Sequence, residues 1–204
     1  MKQLMQMAVV ILLFLTTGLT AEARSLTPVE GLEALRRSFA GLSDFTAELT
    51  QEKQLSIMKK KLVMHGMIRF KKPDRFFMTL SPPYSGSVLL KDTVLEQRLG
   101  GQGELQRIVL PPDQGLAHWF GAVARPVTSL PPGMTVRAEQ LGPVTNVVIR
   151  PAKGGQLKEL AIVLQHDGTV RKLTIEERTG DRTVMTFRKI RKNVGLTDAD
   201  FRLE

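Results

Sequence analysis

The sequence predicts a mainly β fold of the α+β class: an antiparallel sheet, barrel or sandwich, with two apolar-striped helices packed on the concave side of a curved sheet. Short strand-like runs recur at intervals of about 8–12 residues between turn signals, the spacing of antiparallel β architecture. Two segments instead carry apolar residues at helical spacing. One precedes the first run of strands and the other follows it, so both need an apolar surface to cover.

Taken in order, 24–26 is expected to be a short frayed tail. Thr27-Pro28-Val29-Glu30 reads as a capping box with proline in the first helical position. Leu32, Leu35, Phe39 and Leu42 continue it as one apolar face, and Gly41 with Ser43-Asp44 marks its end. Strands are expected over 45–55, 62–71, 75–80, 88–91, 94–99 and 104–110. The turns between them include Lys72-Pro73-Asp74, Pro82-Pro83-Tyr84 and Gly100-Gly101. Pro111-Pro112-Asp113 opens the second helix, where Leu116, Trp119, Phe120 and Val123 form an i, i+3, i+4, i+7 stripe that Pro126 stops. Strands resume over 135–139, 146–150, 157–165, 170–178 and 183–189. His166-Asp167-Gly168-Thr169 and Thr179-Gly180-Asp181 form hairpin turns among the last three.

The first 23 residues read as an export signal. Lys2 supplies the positive start, an apolar run extends from about Met7 to Leu19, and Ala21-Glu22-Ala23 is a small-x-small cleavage site. A membrane anchor would need about 18 or more apolar residues, and Thr16-Thr17-Gly18 interrupts this run. The expected organisation is a cleaved signal at 1–23 and one soluble domain over 24–204, working outside the cytoplasm without ATP, nicotinamide cofactors or nucleic acid.

Composition narrows the chemistry further. With no cysteine in the chain, disulfides, thiolate metal sites, thiol catalysis and an N-terminal lipid anchor on cysteine are all excluded. His65, His118 and His166 are too far apart in sequence for a helical metal pair. There is no nucleophile elbow, phosphate-cradling loop or cofactor fingerprint. The sequence therefore gives no catalytic residue, no metal site and no cofactor, and the chain reads as a binding protein rather than an enzyme. The net charge of +9 either serves solubility alone or, outside the cytoplasm, favours anionic membrane surfaces and acidic proteins as partners.

A run from Gly66 to Phe76, Gly-Met-Ile-Arg-Phe-Lys-Lys-Pro-Asp-Arg-Phe, resembles the outer-membrane lipoprotein carrier family, the LolA-like proteins. Phe45-Thr-Ala-Glu-Leu-Thr-Gln51 resembles the first strand of that family. Asp167-Gly-Thr-Val170 resembles a late hairpin, and Asp198-Ala-Asp-Phe201 a closing strand, all in the same order. The resemblance implies an incomplete antiparallel β-barrel with helices as a lid over an apolar cavity. It also implies a non-enzymatic carrier of the periplasm that shuttles the acyl chains of lipoproteins from an inner-membrane donor complex to an outer-membrane acceptor. Such a carrier would act as a monomer with only peripheral membrane contact. The alternatives are a paralogue carrying another lipid or glycolipid, and a lipoprotein-sensing regulator of envelope stress.

Strand parity, helix spacing and this resemblance together select Met64, Ile68, Phe70, Phe76, Met78, Leu90, Trp119 and Phe120 as the acyl-binding set. Methionine suits an adaptable cavity, although it is equally an ordinary core residue. Lys72 has the parity of Met64, Ile68 and Phe70. It occupies the position where the family carries an arginine that holds the lid closed, so it is expected either as a latch or as a solvated turn residue. Phe77-Met78 stands where the family usually has tryptophan after the phenylalanine, and Asp92-Thr93 where it often has Asp-Gly.

Overall fold

The structure, a computed structural model, describes residues 23–203 except 59, 101–102, 113–114 and 153–154; the side chains of residues 119, 122 and 123 are also outside the description. Apart from Ala23, the proposed signal therefore lies outside the described residues.

One antiparallel sheet of twelve strands makes up the fold. Strand β1 (Ala23–Leu26) leads into helix α1 (Pro28–Ala40). A first meander follows: β2 (Asp44–Gln54), β3 (Lys61–Lys71), β4 (Arg75–Leu80), β5 (Gly86–Lys91), β6 (Val94–Leu99) and β7 (Leu105–Val109). Helix α2 (Leu116–Val123) crosses to a second meander of β8 (Met134–Leu141), β9 (Val144–Pro151), β10 (Leu157–Gln165), β11 (Val170–Glu177) and β12 (Arg182–Lys192). Strand β12 pairs with β2, joining the meanders in the order β1-β8-β9-β10-β11-β12-β2-β3-β4-β5-β6-β7. The sheet curves without closing, with β1 and β7 as its edges.

The expected elements are present, with two corrections. Residues 24–26 are not a frayed tail: with Ala23 they pair along β8, Leu26 opposite Ala138, because that edge offers an unused row of backbone groups. The Asp198-Ala-Asp-Phe201 segment is not a closing strand. It is a 3₁₀ turn over Asp198–Asp200 that delivers the fully buried Phe201 onto Phe77 and Leu89. Phe201 covers an apolar spot on the outer face of β4 and β5, a task that a side chain on a turn performs without a ladder.

Helix α1 begins as its sequence requires. Thr27 Oγ1 accepts from the Glu30 N–H at 3.2 Å, and Glu30 Oε2 accepts from the Thr27 N–H at 2.7 Å. Its apolar stripe packs over β8 and β9, where Leu32 and Leu35 join a core of Val136, Ala138, Val147, Ile162 and Leu164. Gly31 permits this approach, since a Cβ there would stand 2.4 Å from the Ala138 Cβ. A second core, on Ala47, Leu49 and Ile68, lies under Phe45, Phe76, Met78, Leu80, Met185, Phe187 and Ile190.

Glu33 ties α1 to the segment after α2. Its carboxylate accepts from Arg36 at 2.7 and 2.8 Å and from the Val127 N–H at 3.2 Å. The Arg36 guanidinium, then the Val127 amide, hold its carboxyl down at about 2. At the start of α2, Asp92 adopts a positive φ of 49° in the β5–β6 turn, a conformation aspartate tolerates better than most residues. Its Oδ1 accepts from the Ala117 N–H at 3.0 Å, meeting one of the unpaired donors of a helix start.

This packing sets the cost of small substitutions. A Cβ at Gly66 would sit 1.9 Å from the Thr79 carbonyl oxygen, whereas at Gly41 nothing lies within 4 Å. Chemical denaturation of Gly66→Ala should show a loss of about 1–3 kcal/mol, and Gly41→Ala should stay within about 0.5 kcal/mol of wild type. A carboxyl depressed in the folded state contributes stability above its unfolded value, about 4.3, and loses that contribution as pH falls through its folded value, here about 2. The Val127 amide resonance should follow this titration with a midpoint near 2, and Glu33→Gln should abolish it.

Candidate functional site

Residues opposite each other in an antiparallel ladder share a face, so the register sorts side chains across the whole sheet. Phe45, Phe70, Phe76 and Leu90 form one rung across β2–β5. Ala47, Ile68, Met78 and Val88 form the next on the same face. Toward β12, Leu49 faces Phe187 and Gln51 faces Met185. Further on, Leu173, Ile162, Val147 and Ala138 continue that face to Leu26 at the edge. The same side of the sheet thus carries a row of apolar side chains from β1 to β5. Ile68 and Phe70 are buried, while Phe76, Met78 and Leu90 are half-buried.

Two phenylalanines from the helices meet this face. The ring of Phe120, on α2, lies 4.8 Å from that of Phe70 and 5.9 Å from that of Phe39 on α1, the latter edge-on. Phe45 lies 5.4 Å from Phe70 on the other side. These separations fall in the range where aromatic pairs gain about 0.5–1.5 kcal/mol beyond their buried area. The two helices and two strands are therefore joined through one chain of four rings. Phe39 and Phe45 were absent from the sequence-derived set. Phe39 stood in the α1 stripe and Phe45 in the first-strand motif, but only the packing shows that they share a site.

Lys72 sits where this aromatic chain meets the end of α1. Its Nζ donates to the carbonyl oxygen of Phe39, in the last turn of the helix, and stands 5.9 Å from the centre of the Phe120 ring. Partial burial pushes the ammonium below the usual lysine range. A cation suits the unsatisfied carbonyls of a helix C-terminus. The corner around it is closely bonded. The Lys72 N–H donates to the Ser43 carbonyl at 2.8 Å, Asn193 Nδ2 donates to the Gly41 carbonyl at 2.9 Å, and the Ser43 N–H donates to Asn193 Oδ1 at 2.8 Å. The buried Asp44 accepts from the Val194 N–H at 2.7 Å and the Gly195 N–H at 3.2 Å. Lys71, of opposite parity, faces outward and pairs with Asp198 at 3.3 Å.

Of the sequence-derived set, Ile68, Phe70, Phe76, Met78, Leu90 and Phe120 come together around this region. Met64 shares the face but stands six residues along β3 from Phe70, about 20 Å away, beside Gln51 and Met185. Gln51 Oε1 is buried there with no hydrogen-bond partner, a polar position in an apolar row that sequence reasoning missed. The Trp119 side chain lies outside the described residues. A cleft of about 290 Å³ opens on the other face of the sheet, lined by Arg69, Phe77, Thr79, Ser87 and Arg98 among others. Its arginines and hydroxyls do not suit a hydrocarbon chain, so the apolar face is the better candidate for one.

Known proteins agree with this architecture. Similar solved structures include an uncharacterised conserved protein from Thermus thermophilus, with a TM-score of 0.53 and 10% identity over 86% of this chain and 93% of that one. A DUF1329 family protein from Desulfovibrio piger has a TM-score of 0.50 and 15% identity over 87% of this chain and 98% of that one. At these identities the likeness concerns the fold. No curated protein sequence matches the chain. The profile of the family described as outer membrane lipoprotein carrier protein LolA matches residues 40–204, which span every strand from β2 to β12 together with Lys72 and Phe120, and the chain therefore belongs to the LolA family.

Proposed function

We propose that this protein is a non-enzymatic carrier of the bacterial envelope that holds acyl chains of a lipid-modified protein against the apolar face of its sheet, beneath α1 and α2. In this reading the signal at 1–23 is removed on export. The remaining domain, 24–204, then works as a periplasmic monomer between an inner-membrane donor and an outer-membrane acceptor. The observation that carries the proposal is the apolar row from β1 to β5, bridged by Phe120 and tethered by Lys72 to Phe39. Each methylene removed from water is worth about 0.8 kcal/mol, so a half-buried apolar face can hold a chain without any covalent step. Membership of the LolA family supports lipoprotein as the cargo class. No helix among the described residues is long and apolar enough to cross a membrane.

The two helices contribute unequally in this reading. Helix α1 is held at both ends, by Leu26 and Ala138 on one side and the Asn193 corner on the other, and serves as the fixed wall. Helix α2 is held at its start by Asp92 and through Phe120, and serves as the moving part. Closure then depends in part on Lys72, which is anchored on α1 through the Phe39 carbonyl and holds its Nζ 5.9 Å from the Phe120 ring of α2, a cation–π contact worth about 0.5–2 kcal/mol.

Mass spectrometry of the material that co-purifies with the native protein tests the cargo. An acylated peptide is expected, whereas a free lipid would replace lipoprotein by another amphiphile as the cargo. Lys72→Leu should still take up acyl cargo but release it more slowly, by up to about tenfold, because the variant loses the latch and adds apolar surface that favours the open, loaded state. Lys71→Leu should release at the wild-type rate. Equal off-rates for all three proteins would remove Lys72 from the mechanism.

A further inference from the structure

We infer that the tip of the β2–β3 hairpin is a membrane-docking element whose partner is the surface of an anionic lipid bilayer. Strand β2 ends at Gln54 and β3 begins at Lys61. Between them Ile57 is 95% exposed and Met58 55% exposed. Single exposed apolar residues are common on protein surfaces, but here the surroundings give this pair a direction.

The tip is held in place. The Ser56 N–H and hydroxyl both donate to Asp181 Oδ1, at 2.8 and 2.9 Å, and the Met58 N–H donates to the Leu55 carbonyl at 3.2 Å. The β11–β12 turn buttresses it through Gly180, where a Cβ would stand 3.2 Å from the Ser56 Cβ. An apolar pair at the end of a long hairpin is thus presented to the outside rather than folded back onto the sheet.

Cations flank it. Lys59, Lys60 and Lys61 follow Met58 directly in sequence, and Lys60 is exposed. The Ser56 hydrogen bonds, with a smaller contribution from Lys53, favour the charged carboxylate of Asp181, and Lys61, Lys172 and Arg182 favour that of Glu52. Glu176 pairs with Lys158 and Arg182. Glu52 and Glu176 at this end are therefore paired with neighbouring cations, and Lys60 adds positive charge beside the apolar tip.

Exposed isoleucine and methionine next to lysines match the interface of an anionic bilayer. The apolar side chains enter the boundary between headgroups and acyl chains, while the ammonium groups remain among the phosphates. Long lysine stems accommodate both environments at once. The tip lies at the opposite end of β3 from Lys72, about 33 Å away along the strand, so docking leaves the latch untouched.

Flotation with lipid vesicles tests the inference and needs no cargo, so its outcome is independent of the carrier reading. The protein, expressed from its complete sequence and purified from the soluble fraction, should float with vesicles rich in phosphatidylglycerol and much less with phosphatidylcholine alone. Added salt should weaken the binding. The double variant Ile57→Ser, Met58→Ser should lower partitioning about tenfold or more, and Lys60→Gln about fivefold. Ile108→Ser, at an exposed apolar residue on β7, should leave it unchanged, with matching circular dichroism spectra for all variants. The inference is overturned if the wild type floats with neither vesicle or equally with both, or if the tip variants float like wild type. Absence of vesicle binding would direct the search for the tip's partner to proteins.

Discussion

The architecture depends on strand register. Each rung of an antiparallel ladder places its side chains on a common face, and a slip of one residue would send every apolar side chain of a strand to the opposite side. Here the alternation survives eleven pairings, although register shifts occur near Leu157, Val163 and Arg188. It places Leu26, Val147, Ile162, Leu49, Phe70 and Leu90, from distant parts of the chain, on one apolar surface. The opposite surface carries Arg69, Lys71, Arg75, Glu96 and Arg107 across β3–β7. Where that polar side still shows apolar area, at Phe77 and Leu89, the C-terminal Phe201 closes over it.

A curved sheet that does not close leaves its apolar side in need of cover, and the two helices provide it by different means. Helix α1 packs as part of a core, with Gly31 set against Ala138 and the Thr27–Glu30 box fixing its start. Helix α2 is shorter, and its described anchors are specific contacts: Asp92 at its N-terminus and Phe120 on the aromatic chain. Glu33 links the two by reaching from α1 to the Val127 amide beyond the end of α2. The first helix is thus gripped through packing, and the second, in its described contacts, through a few polar and aromatic groups.

The two ends of β3 carry different kinds of positive charge. Lys72 is turned inward, half-buried and bonded to the end of α1, where its charge meets a carbonyl of the last helical turn. Lys60 is turned outward beside an apolar tip. Burial accounts for the contrast: a cation withdrawn from water needs a partner within the fold, while an exposed one remains available to external anions. The overall charge of +9 is thus composed of groups in distinct settings, which a sum over the sequence does not separate.

Local physics made much of this legible in the sequence. The capping box and apolar stripe of α1, the span of α2 and the turns at Gly168 and Gly180 depend on neighbouring residues alone, and they stand where the sequence put them. The parity that groups Ile68, Phe70 and Lys72 follows from the two-residue repeat of a strand. Only the tertiary structure decided what each element touches. That β12 lies beside β2, that residues 24–26 complete an edge, and that Phe39, Phe120 and Phe45 converge on Phe70 are consequences of long-range pairing and packing. The segment around Phe201 carried a strand-like resemblance, yet its burial on Phe77 and Leu89 made a turn the better solution. Backbone periodicity is encoded within a few residues, whereas the partner of an apolar face is chosen by whichever distant surface the folded sheet brings opposite it.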